Sequence, residues 1–166
     1  MQNVVLIGMP GVGKSSIGVV LAKVLGYEFL DSDLVIQKQE GKKLSQIISD
    51  EGIQSFLEIE NRVNRSLDVT QNVIATGGSA VYGEEAMEHL HKIGTVVYLK
   101  VTYDTIIERL GDLTERGVIM KEGQTLKDLY RERCPLYEKY ADITINEEHL
   151  SIREAVQKML SKLAVE

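Results

Sequence analysis

The run Gly8-Met9-Pro10-Gly11-Val12-Gly13-Lys14-Ser15 follows directly on the apolar stretch Val4-Val5-Leu6-Ile7, and this succession constrains the fold more than any other feature of the chain. The β-branched run reads as a buried parallel strand, and Ile17, Leu21 and Leu25 recur after it at helical spacing. The segment between them matches G-x-x-x-x-G-K-[ST], a phosphate-binding loop set between a strand and a helix N-terminus. The backbone N–H groups of such a loop point at anionic oxygens, which makes Gly11, Val12, Gly13, Lys14, Ser15 and Ser16 candidate nucleotide contacts. Lys14 reaches the β- and γ-phosphates as a point charge, and the Ser15 hydroxyl is a ligand for Mg²⁺. The ligand implied is a nucleoside triphosphate with its metal.

At 166 residues and 43% hydrophobic content, one domain with a substantial core is expected. The apolar stretches are too short to span a membrane, and the N-terminus runs straight into the first strand, so a cytoplasmic protein is expected. A single cysteine, Cys134, excludes an intramolecular disulfide and a cysteine-based metal cluster. A net charge of −6 argues against nucleic acid as the main partner, because that affinity comes from neutralised phosphates. No nucleic acid, no membrane and a monomer are the expectations.

Strand-like segments at 4–7, 28–30, 73–75, 95–99 and 143–145 alternate with helical patterns. Such alternation implies an α/β fold with a parallel, doubly wound sheet. A long helical stretch from Leu44 to about Asp68, broken near Gly52, inserts more chain between the second and third strands than a crossover needs. It is a candidate acceptor-binding region, spanning about 33–65. The glycine-bounded, charged segment 111–124 reads as a lid. The last helix opens on Ser151-Ile152-Arg153-Glu154, a capping box, with Ala155, Val156, Met159, Leu160 and Leu163 as its buried stripe.

Asp31 and Asp33 close the second strand, and alternation along an extended chain sends both to one side. In open α/β sheets ligands bind beyond the carboxyl ends of the strands, beside the phosphate loop. The pair therefore serves either a metal and a hydroxyl, or a helix N-cap. Thr76-Gly77-Gly78-Ser79, after the third strand, offers either a close backbone approach to a ligand or a plain tight turn. Arg109, Arg116 and Arg133 supply positive charge of the kind that phosphoryl transfer requires, although any one of them alone is more often a solvated surface charge.

Together these segments resemble the shikimate kinase family, from Gly8 to Ser15 through Phe29-x-Asp31-x-Asp33, Phe56 with Glu60, Gly77-Gly78, Arg116, and Arg133-Cys134-Pro135-Leu136-Tyr137. The resemblance implies a P-loop, three-layer kinase fold with a five-stranded parallel sheet in the order 2-3-1-4-5, flanked by helices. It implies that Lys14 and Ser15 hold ATP and Mg²⁺, that Asp31 supports the metal, and that Asp33 binds hydroxyls of the acceptor. It further implies that Arg109 packs on the adenine, Arg116 closes over the phosphates from the lid, and Arg133 pairs with the acceptor's carboxylate. Lys14, Asp33 and Arg116 are the expected catalytic residues. Asp33, Leu57, Gly77, Gly78, Ser79 and Arg133 are expected around the acceptor.

Three positions depart from that family pattern. Leu57 stands where the family has an arginine that grips the shikimate carboxylate, Ser79 replaces the third glycine of the turn, and Arg116-Gly117-Val118-Ile119 lacks the lid's proline. Arg62 cannot replace the missing cation, because five residues on it lies about 140° around the helix. Asn61 and Asn64 share the Leu57 face and are candidates for contact with neutral hydroxyls. The reaction expected is Mg²⁺- and ATP-dependent phosphorylation of a hydroxyl on a small cyclic polyol acid, with shikimate first. A kinase for gluconate or a cyclitol, and a catalytically silent nucleotide-binding regulatory module, are the alternatives.

Overall fold

The computed structural model describes residues 2–110 and 121–164. Five strands, β1 Asn3–Ile7, β2 Glu28–Asp31, β3 Asn72–Ala75, β4 Gly94–Lys100 and β5 Ile143–Asn146, form one parallel sheet in the order β2-β3-β1-β4-β5. The order is the expected one. Every residue of β1 is buried, as a central strand covered on both faces must be. Val5 stands opposite Ile74 of β3 and Val96 of β4, which sets the register of the sheet's centre.

The helices are α1 Lys14–Leu25, α2 Ser32–Glu40, α3 Leu44–Arg65, α4 Glu84–Ile93, α5 Tyr103–Arg109, α6 Leu126–Tyr140 and α7 Ile152–Ala164, with a 3₁₀ turn at Ala80–Tyr82. The expected break in α3 falls at Gly52, whose φ of 88° and ψ of 166° lie outside helical space. A left-handed φ is readily available only to glycine, so the kink is written into the residue type. Ser151 and Glu154 exchange the two hydrogen bonds of the expected capping box at the start of α7. Thr125 and Asp128 do the same for α6.

A main core packs around the sheet, and a second, smaller cluster of Ile36, Ile47, Phe56, Ile59 and Val63 joins α2 to α3. That second cluster fixes the helical insertion as a wall beside the carboxyl ends of β2 and β3. Among the described residues, no helix is long and apolar enough to cross a membrane.

Candidate active site

The phosphate loop is shaped by glycines at positions that other residues do not tolerate. A Cβ at Gly8 would lie 2.7 Å from the Leu99 carbonyl oxygen, at a φ of +149°. Gly13, at φ 90°, occupies the N-cap position of α1 and offers no capping side chain, so the first N–H groups of the helix are open to an anion. Lys14 is buried, and its Nζ donates to the carbonyl oxygens of Gly8 at 2.7 Å and Met9 at 2.9 Å. Burial pushes its pKa down to about 8, against the opposing pull of Asp33.

The two aspartates reach one cavity by a route other than strand alternation. The strand ends at Asp31, and Asp33 already lies in the first turn of α2. Asp31 Oδ1 accepts the Asp33 N–H at 2.9 Å, while its Oδ2 accepts from the Ser15 hydroxyl at 3.4 Å. The helix cap and the contact with the phosphate loop are thus made by the same carboxylate, one oxygen each. Burial, reinforced by the negative charge of Asp31, raises Asp33 to about 6. A carboxyl so placed is mostly ionised at neutral pH yet basic enough to take up a proton.

A cavity of about 300 Å³ is bounded by Lys14, Ser15, Asp31, Asp33, Gly77 and Gly78. Across the phosphate loop a second cavity, of about 240 Å³, is lined by Gly11, Val12, Gly13, Ser16, Arg109 and Leu150 among others. Arg109 ends α5, and its Nη1 donates to Glu147 Oε1 at 2.7 Å and to the Gly11 and Val12 carbonyls at 3.3 Å each. The guanidinium is therefore held against the back of the loop by a buried carboxylate that sequence reasoning missed.

Arg133 is not a surface charge: it is 1% exposed, in the middle of α6. Its Nε donates to the Tyr82 hydroxyl at 3.4 Å, and its guanidinium carbon lies 5.4 Å from the centre of the Tyr82 ring. A Cβ at Gly78 would stand 2.8 Å from Arg133 Nη1. One turn along α6, Tyr137 donates to the Gly78 carbonyl at 2.6 Å and fixes this bare backbone in place. The segment after β3 is at once a tight turn, with Ala80 N–H bonded to Gly77 O at 3.1 Å, and a close-approach surface.

Other expected acceptor residues lie elsewhere. The Ser79 hydroxyl is buried and donates to Glu60 Oε1 at 2.6 Å. Leu57 is half-buried and packs on the apolar cluster between α2 and α3. Asn61 accepts the Ala86 N–H at 3.0 Å and bonds Glu85, so it anchors the start of α4 rather than facing the cavity. Asn64 is fully buried, and its amide has no hydrogen-bond partner. Arg116, with most of the 111–124 segment, lies outside the described residues. Glu60, carried in the sequence only as part of the family pattern, is 2% exposed and raised to about 8, chiefly by burial and partly by Asp33, with Ser79 and Arg133 opposing.

The shikimate kinase family model matches residues 10–164. A shikimate kinase of Thermodesulfovibrio yellowstonii is 39% identical over 165 residues, covering 98% of this chain and 95% of that protein. Among solved structures, the Acinetobacter baumannii shikimate kinase in complex with shikimate superposes with a TM-score of 0.86 at 31% identity, covering 99% of this chain and 94% of that one. The Aquifex aeolicus shikimate kinase gives 0.84 at 32%, covering 98% and 96%. Likeness of this extent, in sequence and in fold, makes the chain a member of the shikimate kinase family, ATP-dependent kinases that phosphorylate an alcohol group.

Proposed function

We propose that this chain transfers the γ-phosphoryl group of ATP to a hydroxyl of shikimate. The observation that carries the reading is that the bare Gly77-Gly78 turn, which borders the cavity at the phosphate loop, is approached by Asp33 at Gly77 and by the buried guanidinium of Arg133 at Gly78. A buried cation of this kind suits a carboxylate-bearing acceptor, and a partly basic carboxyl at the same turn suits the hydroxyl that reacts.

In this mechanism the loop N–H groups and Lys14 hold the phosphates, and the acceptor oxygen forms the new bond to phosphorus as the bond to the β-phosphate oxygen breaks. Asp33 orients the hydroxyl and takes its proton. Ser15 and Asp31 present hydroxyl and carboxylate oxygens of the type Mg²⁺ prefers, and the ion, when bound, neutralises phosphate charge. Arg109 borders the nucleotide base, and Arg116 reaches the transferring group from a lid at 111–124, beside an acceptor-binding region at 33–65. The same reading takes the chain as a single-domain, monomeric, cytoplasmic enzyme with neither nucleic acid nor membrane as partner.

The test is ADP release with Mg²⁺-ATP across shikimate, quinate, gluconate and neutral cyclitols. Shikimate is expected to give the highest kcat/KM and a singly phosphorylated product. Preference for gluconate or a cyclitol would overturn the acceptor assignment, and no turnover with any of them would favour a silent nucleotide-binding module.

A further inference from the structure

Glu147 is a buried acid with no part in holding phosphates, metal or acceptor. It is 3% exposed and lines the 240 Å³ cavity across the phosphate loop, together with Arg109, Leu150 and loop residues Gly11 and Val12. Backbone bonds at the end of the sheet set its position. The Glu147 N–H donates to the Lys100 carbonyl at 3.0 Å, which continues the ladder past the last β4–β5 pair, Lys100 and Asn146. Its own carbonyl accepts the Leu150 N–H at 2.9 Å, closing the turn that leads to α7. From this fixed base the side chain meets the last residue of α5, with Oε1 2.7 Å from Arg109 Nη1. The same nitrogen reaches the Gly11 and Val12 carbonyls only at 3.3 Å. Neighbouring Glu148 is spent elsewhere, accepting the Thr102 N–H at 2.8 Å at the other end of α5.

We propose that Glu147 is a positioning residue for nucleotide binding: by holding Arg109 Nη1 it presets the guanidinium as a flat cationic face for the base. The inference rests on the reading that Arg109 borders that base. A guanidinium stacks on aromatic faces, but an arginine that must first be ordered gives up part of that affinity as lost side-chain freedom. The two loop carbonyls are neutral acceptors beyond the usual hydrogen-bond distance, whereas a carboxylate at 2.7 Å makes a short, charge-assisted bond. Burial keeps that carboxylate from turning away into water, and the Arg109 side chain, 36% exposed, remains open to a ligand in the cavity. The negative charge of Glu147 repels phosphates and cannot by itself draw them in. Any affinity it adds therefore runs through Arg109 and the base.

The experiment is calorimetric titration, with Mg²⁺ and without acceptor, of ADP and of tripolyphosphate, which offers phosphates but no base. Glu147→Gln keeps an oxygen acceptor for Arg109, and Glu147→Met keeps the volume without one. Arg109→Ala is expected to weaken ADP by about tenfold or more, the scale of a lost stacking partner. Glu147→Met should weaken ADP by about fivefold and Glu147→Gln by less than about twofold. Tripolyphosphate should bind both Glu147 variants at least as tightly as wild type. With Arg109→Ala already in place, adding Glu147→Met should cost less than about twofold more. Equal weakening of ADP and tripolyphosphate by Glu147→Met, or a full Glu147→Met effect in the absence of Arg109, overturns the inference. So does an ADP affinity that Arg109→Ala lowers and Glu147→Met leaves unchanged. An ADP affinity unchanged by Arg109→Ala overturns the base assignment on which the inference stands, and none of these readings depends on which acceptor is phosphorylated.

Discussion

Replacing Glu60 by Gln is expected to stabilise the protein, and to do so only as pH rises. In the folded state the carboxyl is raised from 4.5 to about 8, while in the unfolded chain it ionises at its ordinary value. Between these values the folded protein holds one proton more than the unfolded one, so stability falls as pH increases. The contribution is fully present below pH 4.5 and is lost progressively up to about pH 8. Each pH unit costs about 1.4 kcal/mol, so at pH 7, two and a half units above 4.5, holding this proton costs about 3 kcal/mol. Gln is neutral at every pH, still accepts from Ser79 through its carbonyl oxygen, and places an amide where Oε2 stands, so it removes this cost and little else. Asp33, itself raised to about 6, titrates in both proteins, and its contribution largely cancels in the difference. Urea unfolding of both proteins at pH 5 and pH 7.5, without ligands, measures the effect. The advantage of Glu60→Gln should grow by about 3 kcal/mol between the two conditions, with equal m-values. A difference that does not change with pH would mean that Glu60 is ionised in the folded protein, and the argument for its neutral state would fail.

Lys14→Ala should lower turnover by about a hundredfold or more while leaving thermal unfolding near wild type, because Lys14 holds only two loop carbonyls in the ligand-free protein and its charge serves the phosphates. The kcat/KM for shikimate should fall on the acid side with an apparent midpoint near 6, as Asp33 takes up its proton, and Asp33→Asn should remove that limb together with most of the rate. Leu57→Arg places a cation one turn before Glu60, and the KM for shikimate should improve by about tenfold. An unchanged KM would mean that position 57 serves only the apolar cluster between α2 and α3.

Local signals carried most of the architecture. The three central strands β3, β1 and β4 carry apolar runs, the α3 kink is a glycine, and the α7 cap is a Ser and a Glu at the right spacing. The site was legible where it is also local, in the phosphate loop and the bare turn after β3. It was less legible where a charge sits within a helical pattern: Arg133 was expected at the acceptor only through the family resemblance, because its partner Tyr82 is 51 residues away and local pattern gives no sign of its burial. The Arg109–Glu147 pair, 38 residues apart, is hidden for the same reason. Asp31 and Asp33 came together for a reason other than the expected one, since the chain turns helical at Ser32 and no alternation remains to act. Asn61 was assigned by helical face, and the face proved right for packing against α4 rather than for the cavity.

Leu57 and Ser79, which the sequence presents as two unrelated departures from the family pattern, meet at one carboxyl group. Glu60 lies one helical turn beyond Leu57 and accepts the Ser79 hydroxyl. With an arginine at 57, an ionised Glu60 would have a cation beside it, and a bare backbone at 79 would suffice. With leucine there, an ionised Glu60 would be a buried charge whose nearest cation, Arg133, is wanted by the acceptor, and burial instead drives the carboxyl to its neutral form. A neutral acid still needs partners for both oxygens, and the side chain at 79 provides one of them. The substitution of a charge by a hydrophobe on α3 and of a glycine by a hydroxyl after β3 therefore form a single change in how this buried acid is satisfied. Arg133 remains as the one buried guanidinium among the described residues of the site. The exchange leaves Glu60 held by the Ser79 hydroxyl rather than by a cation on α3.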